Sequence, residues 1–138
     1  MKQYDLFTRR ARTVRSDPRE IAIHGSIIDV LTRWASPGWL FSHFPSGEAR
    51  DAKTGAKLKR LGTKKGWPDL ILFSPQRSNG AFFLEVKRRT GRLTEEQKAF
   101  RDWAQSHGYP YAVVHDVDQG MAVLTAWGAI RAGIRGFQ

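Results

Sequence analysis

The order of patterned runs along this chain predicts an α/β fold, with helices packed around one mixed sheet. Three observations carry that expectation. Ile23, Ile27, Val30, Leu31 and Trp34 recur at helical spacing on one stripe. "DLILF" (69–73) and "AFFLEVK" (81–87) flank the turn-rich "SPQRSNG", which reads as an antiparallel hairpin. A second helix and a further strand follow the hairpin. The order is then helix, strand, hairpin, helix, strand, helix.

Residues 1–16 are basic and poorly patterned, and read as a flexible arm able to track phosphates. Residues 17–138 read as a single domain. "SDPRE" opens the first helix, with Asp17 as N-cap, Pro18 at the first helical position and Glu20 at the third. "SPG" (36–38) ends it, and "WLFSHF" (39–44) reads as a short strand. Residues 48–66 hold Arg50, Lys53, Lys57, Lys59, Arg60, Lys64 and Lys65 against only Glu48 and Asp51, and read as a loop or broken helix. "LTEEQKAFRDWAQSHG" is a helix capped by Thr94, with Gln97 completing a capping box. "YPYAVVHDV" (109–117) is a strand, and "QGMAVLTAWGAIRAGI" a final helix. Trp34, Trp39, Phe41, Phe44, Trp103 and Trp127 are most simply core residues, with an exposed one stacking on an unpaired base as the lesser reading.

Composition narrows the function. Twenty-three Lys and Arg against thirteen Asp and Glu leave a net charge of +10. A field of that sign draws polyanions, nucleic acid ahead of an anionic membrane. No run reaches the ~18 apolar residues of a membrane span. The absence of cysteine excludes disulfides, thiolate metal sites and cysteine nucleophiles, and suits a reducing cytoplasm. The N-terminal charges precede no apolar stretch, so the start does not read as a signal peptide.

Against this basic background, acids occur inside apolar strands. Strand side chains alternate between faces, so Glu85 and Lys87 point one way and Val86 the other. Asp69, at the head of the preceding strand, falls near the same end of the hairpin. Two carboxylates that converge repel each other and call for a divalent cation. Mg²⁺ is typically held by only one or two carboxylates, with water and substrate phosphate oxygens completing the shell. The Val86 carbonyl is a further hard oxygen. Lys87 can orient or deprotonate a water, or stabilise charge that develops on phosphorus. An E-x-K on a strand could also be a cross-strand ion pair on a solvated face. Phe82, Phe83, Leu84 and Val86 around Glu85 argue against that reading. Arg88, Arg89 and Arg92 follow at once, where strand phosphates would lie, although a solvated charge run would look the same.

These residues resemble the PD-(D/E)XK nuclease superfamily, and most closely its VRR-NUC family of virus-type replication–repair nucleases. The resemblance rests on Gly66-Trp67-Pro68-Asp69-Leu70, Glu85-Val86-Lys87 and Thr94-Glu95-Glu96-Gln97, with "HFPSGEAR" (43–50) resembling the loop before the motif. It spans roughly Asp17 to Trp127. It implies a restriction-endonuclease-like core and a Mg²⁺- or Mn²⁺-dependent DNA endonuclease. Asp69, Glu85 and the Val86 carbonyl become metal ligands, Lys87 the catalytic base or stabiliser, and Gln97 a supporting catalytic residue. Glu20 becomes the first-helix acid of the metal site, although helix capping also accounts for it. The chain departs from the pattern at His24, where the family's first helix usually carries Gln.

Stand-alone members resemble homodimers that act on branched DNA in the manner of junction resolvases. That implies a branched or duplex DNA partner, a homodimer, and action in the cytoplasm, including that of a phage-infected host. Arg50, Lys57, Lys59, Arg60, Lys64, Lys65, Arg88, Arg89 and Arg92 are the expected nucleic-acid contacts. Two other readings are a catalytically silent nucleic-acid-binding module, opposed by the intact Asp69, Glu85 and Lys87, and a sequence-specific restriction-type enzyme, for which no added recognition domain is visible.

Overall fold

The computed structural model describes residues 17–44, 52–76 and 80–133. The proposed arm over 1–16, Arg50 and most of the loop "HFPSGEAR" lie outside them. Among the described residues, four helices and four strands follow in the order α1 (Pro18–Trp34), β1 (Leu40–His43), α2 (Ala52–Arg60), β2 (Leu70–Phe73), β3 (Ala81–Val86), α3 (Glu95–Ser106), β4 (Tyr111–Val114) and α4 (Val117–Trp127). The expected mixed sheet is present in the order β1-β2-β3-β4. β1 and β3 run antiparallel to β2, and β4 runs parallel to β3.

Local chemistry starts three of these helices. The Asp17 side chain accepts from the Arg19 N–H at 2.8 Å, with Pro18 in the first turn. Thr94 accepts from the Gln97 N–H at 3.2 Å, while the Gln97 side chain returns to the Thr94 N–H at 2.8 Å. Two backbone donors are satisfied by that reciprocal cap. α4 begins two residues before the start read from the sequence. Asp116, taken there as part of a strand, caps it by accepting from the Gln119 N–H at 2.7 Å. β4 is accordingly shorter than 109–117.

The sheet divides the interior in two. Leu70, Leu72, Phe82, Leu84, Val86 and Val114 face α1 and α4, and meet Ile27, Val30, Leu31, Met121 and Leu124. The opposite face turns Ile71 and Phe83 toward Ala104 and Phe100 of α3. Gly120 lets α4 close on α1, since a Cβ there would lie 2.8 Å from Ile27 Cδ1. β3 is buried almost from end to end, as a strand covered on both faces must be.

Three expectations are corrected. The basic excursion contains a regular helix, α2, rather than a loop or a broken one. Trp34 is 48% exposed at the last residue of α1, where it lines a surface cavity with Pro37 and Arg131. Trp103 is 49% exposed and stacks on His107 and Tyr109 at 4.8 and 5.5 Å instead of entering the core.

Candidate functional site

The hairpin register builds the site. Leu70 pairs with Leu84 and Ile71 with Phe83, so one further step sets Asp69 opposite Glu85. Both lie on the α3 face of the sheet, and Lys87 shares it by the alternation of strand side chains. Asp69 and Lys87 each stand one residue outside their strands, where side chains gather at the sheet's end. Asp69 is fixed from two sides. Its Oδ2 accepts from the Val86 N–H at 2.7 Å, and its carbonyl accepts from the Phe44 N–H at 2.8 Å. The Phe83 and Lys87 N–H groups bond to the β4 side, at Pro110 and Val114. Val86 therefore directs its N–H to the β2 side, and in a strand its carbonyl shares that direction.

Glu85 is the sole charged residue among the buried ones described, at 2% exposure. The Gln97 side-chain N–H donates to its Oε1 at 3.0 Å. Gln97 thus caps α3 with its oxygen and holds Glu85 with its nitrogen, so the helix start and the acid are locked together. Lys87 Nζ lies 4.0 Å from the same Oε1, with its side chain 11% exposed. Glu85 Oε2 is buried with no hydrogen-bond partner. Burial, and then the negative charge of Asp69, push the Glu85 carboxyl up to about 10, against the opposing pull of Lys87. The Tyr111 hydroxyl is also buried without a partner. Burial, followed by the charge of Glu85, raises its pKa.

The loop before Asp69 is pressed onto α3. Gly66 has φ of +83°, and a Cβ there would meet the Glu96 backbone at 2.5 Å. Only glycine permits that approach, which brings Pro68-Asp69 down against the helix that carries Gln97.

Other expected residues have different surroundings. Glu20 Oε1 accepts from the Arg88 N–H at 3.2 Å, which ties α1 to the chain just past Lys87. Its charge contributes the smallest of the upward pushes on Glu85. Among the described residues, no three His, Asp or Glu side chains are grouped to hold one metal ion. Arg88 does not simply face solvent, because its Nε pairs with Asp17 Oδ2 at 3.4 Å. Lys57, Lys59, Arg60, Lys64, Lys65, Arg89 and Arg92 are exposed.

His24 and His43 meet edge to face, with ring centroids 4.7 Å apart. His43 Nδ1 lies 3.1 Å from the Asp69 carbonyl oxygen, a contact that a proton on Nδ1 satisfies. The sequence reading assigned His43 no role. Its link to Asp69 depends on β1 pairing with β2 across 26 residues, and no local pattern announces that.

The donor set suits a small hard cation. Asp69 and Glu85 face each other, Oε2 of Glu85 lacks any other partner, and the Val86 carbonyl is directed to the same side. Two carboxylates are as many as Mg²⁺ usually takes from protein.

A family model described as the VRR-NUC domain matches residues 24–118, more than half of the chain. A solved structure described as a VRR_NUC domain protein is similar, with a TM-score of 0.65 and 22% identity over 82% of this chain and 90% of its own. Another, described as a VRR_NUC domain, gives a TM-score of 0.54 and 17% identity over 78% of this chain and 96% of its own. No curated protein matches.

Proposed function

This chain belongs to the VRR-NUC family, a nuclease-type family, and on that premise we propose that it is a metal-dependent DNA endonuclease selective for branched DNA. One observation carries the reading above all. Glu85 is buried opposite Asp69 in an otherwise apolar strand, and nothing but that facing acid reaches its Oε2. Its one bond to Gln97 anchors α3, but that alone does not offset the burial of an acid.

Asp69, Glu85 and the Val86 carbonyl would hold Mg²⁺ or Mn²⁺, with Glu20 adding negative charge from α1. A cation bound there would polarise a phosphoryl oxygen and acidify a water. Gln97 keeps Glu85 in one rotamer through its hydrogen bond. Lys87, next to Glu85, orients that water or stabilises charge on the phosphorus oxygens. Lys57, Lys59, Arg60, Lys64, Lys65, Arg89 and Arg92 bind strand phosphates, which positions the substrate without reading its bases. Phosphate contacts alone favour shape over sequence, and this is the basis for choosing branched DNA over a sequence-specific site. A homodimer would present two such sites to the arms of one junction.

The test is a cleavage panel of single strands, duplex, flaps and four-way junctions with Mg²⁺, Mn²⁺ or chelator. Wild type should cut branched DNA only with metal. Glu85→Ala and Asp69→Ala should bind the same DNA without cutting it. Metal-dependent cutting by either variant would overturn the site, and a preference for unbranched duplex of one sequence would overturn the substrate.

A further inference from the structure

Trp67 stands two residues before Asp69, in the turn that Gly66 presses onto α3. Its indole packs at a tilt against Phe44 and Phe100, at centroid distances of 5.5 and 5.2 Å. Even so, the residue is 38% exposed. Two routes tie it to the acid pair. Along the chain, steps of about 3.8 Å per residue keep its Cα within roughly 8 Å of that of Asp69. Across space, Phe100 lies one turn of α3 beyond Gln97, which holds Glu85 at 3.0 Å.

The mounting is stiff. Two aromatic rings contact the indole, and Gly66 sits so near Glu96 that an added Cβ would overlap its backbone. Lys64 and Lys65 precede it and are exposed. A rigid, part-exposed ring beside cations is the arrangement on which a nucleic-acid base stacks. Bases inside a duplex are stacked on both faces already, so only an unpaired base has a face to offer.

We infer that Trp67 is the stacking platform for an unpaired base beside the phosphodiester that a cation at Asp69 and Glu85 would contact. This rests on the nuclease reading and adds how a branch is recognised. Trp67 places a site that otherwise contacts only phosphates at the junction between paired and unpaired nucleotides. It is a positioning residue and touches no reacting atom.

The experiment measures binding in chelator, so that nothing is cut. Two probes are used: a duplex with a single-stranded overhang carrying 2-aminopurine at its first unpaired position, and the same duplex blunt-ended, with an aromatic cap stacked on each terminal pair. Trp67→Leu should weaken overhang binding by roughly 5- to 150-fold and abolish stacking-dependent quenching of the 2-aminopurine. It should leave blunt-duplex affinity unchanged. Trp67→Phe, which keeps a ring, should restore most of both, and matching thermal melts of the two variants exclude a folding defect. Equal overhang affinity for Trp67→Leu and wild type overturns the inference while the nuclease reading stands. Equal weakening on both probes assigns Trp67 to the scaffold and overturns it too. A change in oligomeric state without a change in DNA affinity makes a second copy of the chain the occupant, and also overturns it. Wild type that binds neither probe, nor a flap or a four-way junction, removes the nuclease reading itself.

Discussion

Glu85→Gln separates what the buried acid costs the fold from what it does for chemistry. Glu85 is pushed up to about 10 from 4.5, chiefly by burial and then by Asp69. The two acids are coupled, so the proton belongs to the pair. Without metal, the folded protein therefore carries a proton at neutral pH that the unfolded chain has released. Stability from this group is fully present below about pH 4.5 and is lost as the pH rises toward 10. Within that window each pH unit costs about 1.4 kcal/mol, the free energy of one proton.

Glutamine has no proton to lose, so the variant escapes the slope. The measurement is urea unfolding of both proteins in chelator at about pH 5.5, 7 and 8.5. The difference in unfolding free energy should move in favour of Glu85→Gln by roughly 4 kcal/mol from the lowest pH to the highest. Domains are stable by only about 5 to 15 kcal/mol, so the effect is large. Taking the difference cancels every titration the two proteins share. A difference constant across the range would show that Glu85 stays ionised in the metal-free fold, and the account of its burial would fail.

Gly66→Ala should destabilise by about 2 to 5 kcal/mol, from left-handed strain and the overlap with Glu96; a loss under about 1 kcal/mol on chemical denaturation would mean the turn is not pressed on α3. Gln97→Ala should cost about 1 to 2 kcal/mol, because it removes both a cap and the bond to Glu85. Gln97→Glu should keep the cap yet lose cleavage through repulsion of Glu85, and full activity in that variant would remove Gln97 from the site. Charge reversal at Lys57, Lys59, Arg60, Lys64 and Lys65 should weaken DNA binding and reduce the salt slope by about 0.9 per lost phosphate contact. An unchanged slope would show that this segment does not touch DNA.

How much of this was legible depends on how local the physics is. Asp69 and Glu85 could be paired from the chain alone, because a hairpin register and an alternation of two leave few choices. Gln97 announced itself through its capping box. α2 did not, because its described side chains contact no core and Gly55 interrupts a run of good helix formers. Its helicity is local, and an apolar stripe was the wrong signal to seek. The start of α4 was hidden by "YAVVHDV", in which Asp116 prolongs an apolar run while in fact capping the next helix. Arg88 was read with its neighbours as a phosphate contact, yet Asp17 lies 71 residues earlier and only the fold joins them. His43 was missed for the same reason, since its bond to Asp69 requires β1 to lie beside β2.

The pairing of Arg88 also bears on how a basic protein keeps an acidic site. Asp69 and Glu85 repel a phosphate, so cations must outweigh them without neutralising the acids directly. Under the proposed reading the two duties are separated by depth. Glu85 lies at the floor with Lys87 next to it, while Lys64, Lys65, Arg89 and Arg92 are exposed. Arg88, between floor and surface, is committed to Asp17 through its side chain and to Glu20 and His115 through its backbone N–H and carbonyl. Its work is to bind α1 and the end of β4 to the exit of β3, which keeps Lys87 aligned with Glu85. On that reading phosphate attraction would fall on the exposed cations on either side of it. Removing Arg88 should disturb the geometry of the acid site more than the long-range pull on DNA, whereas removing Arg89 or Arg92 should do the reverse.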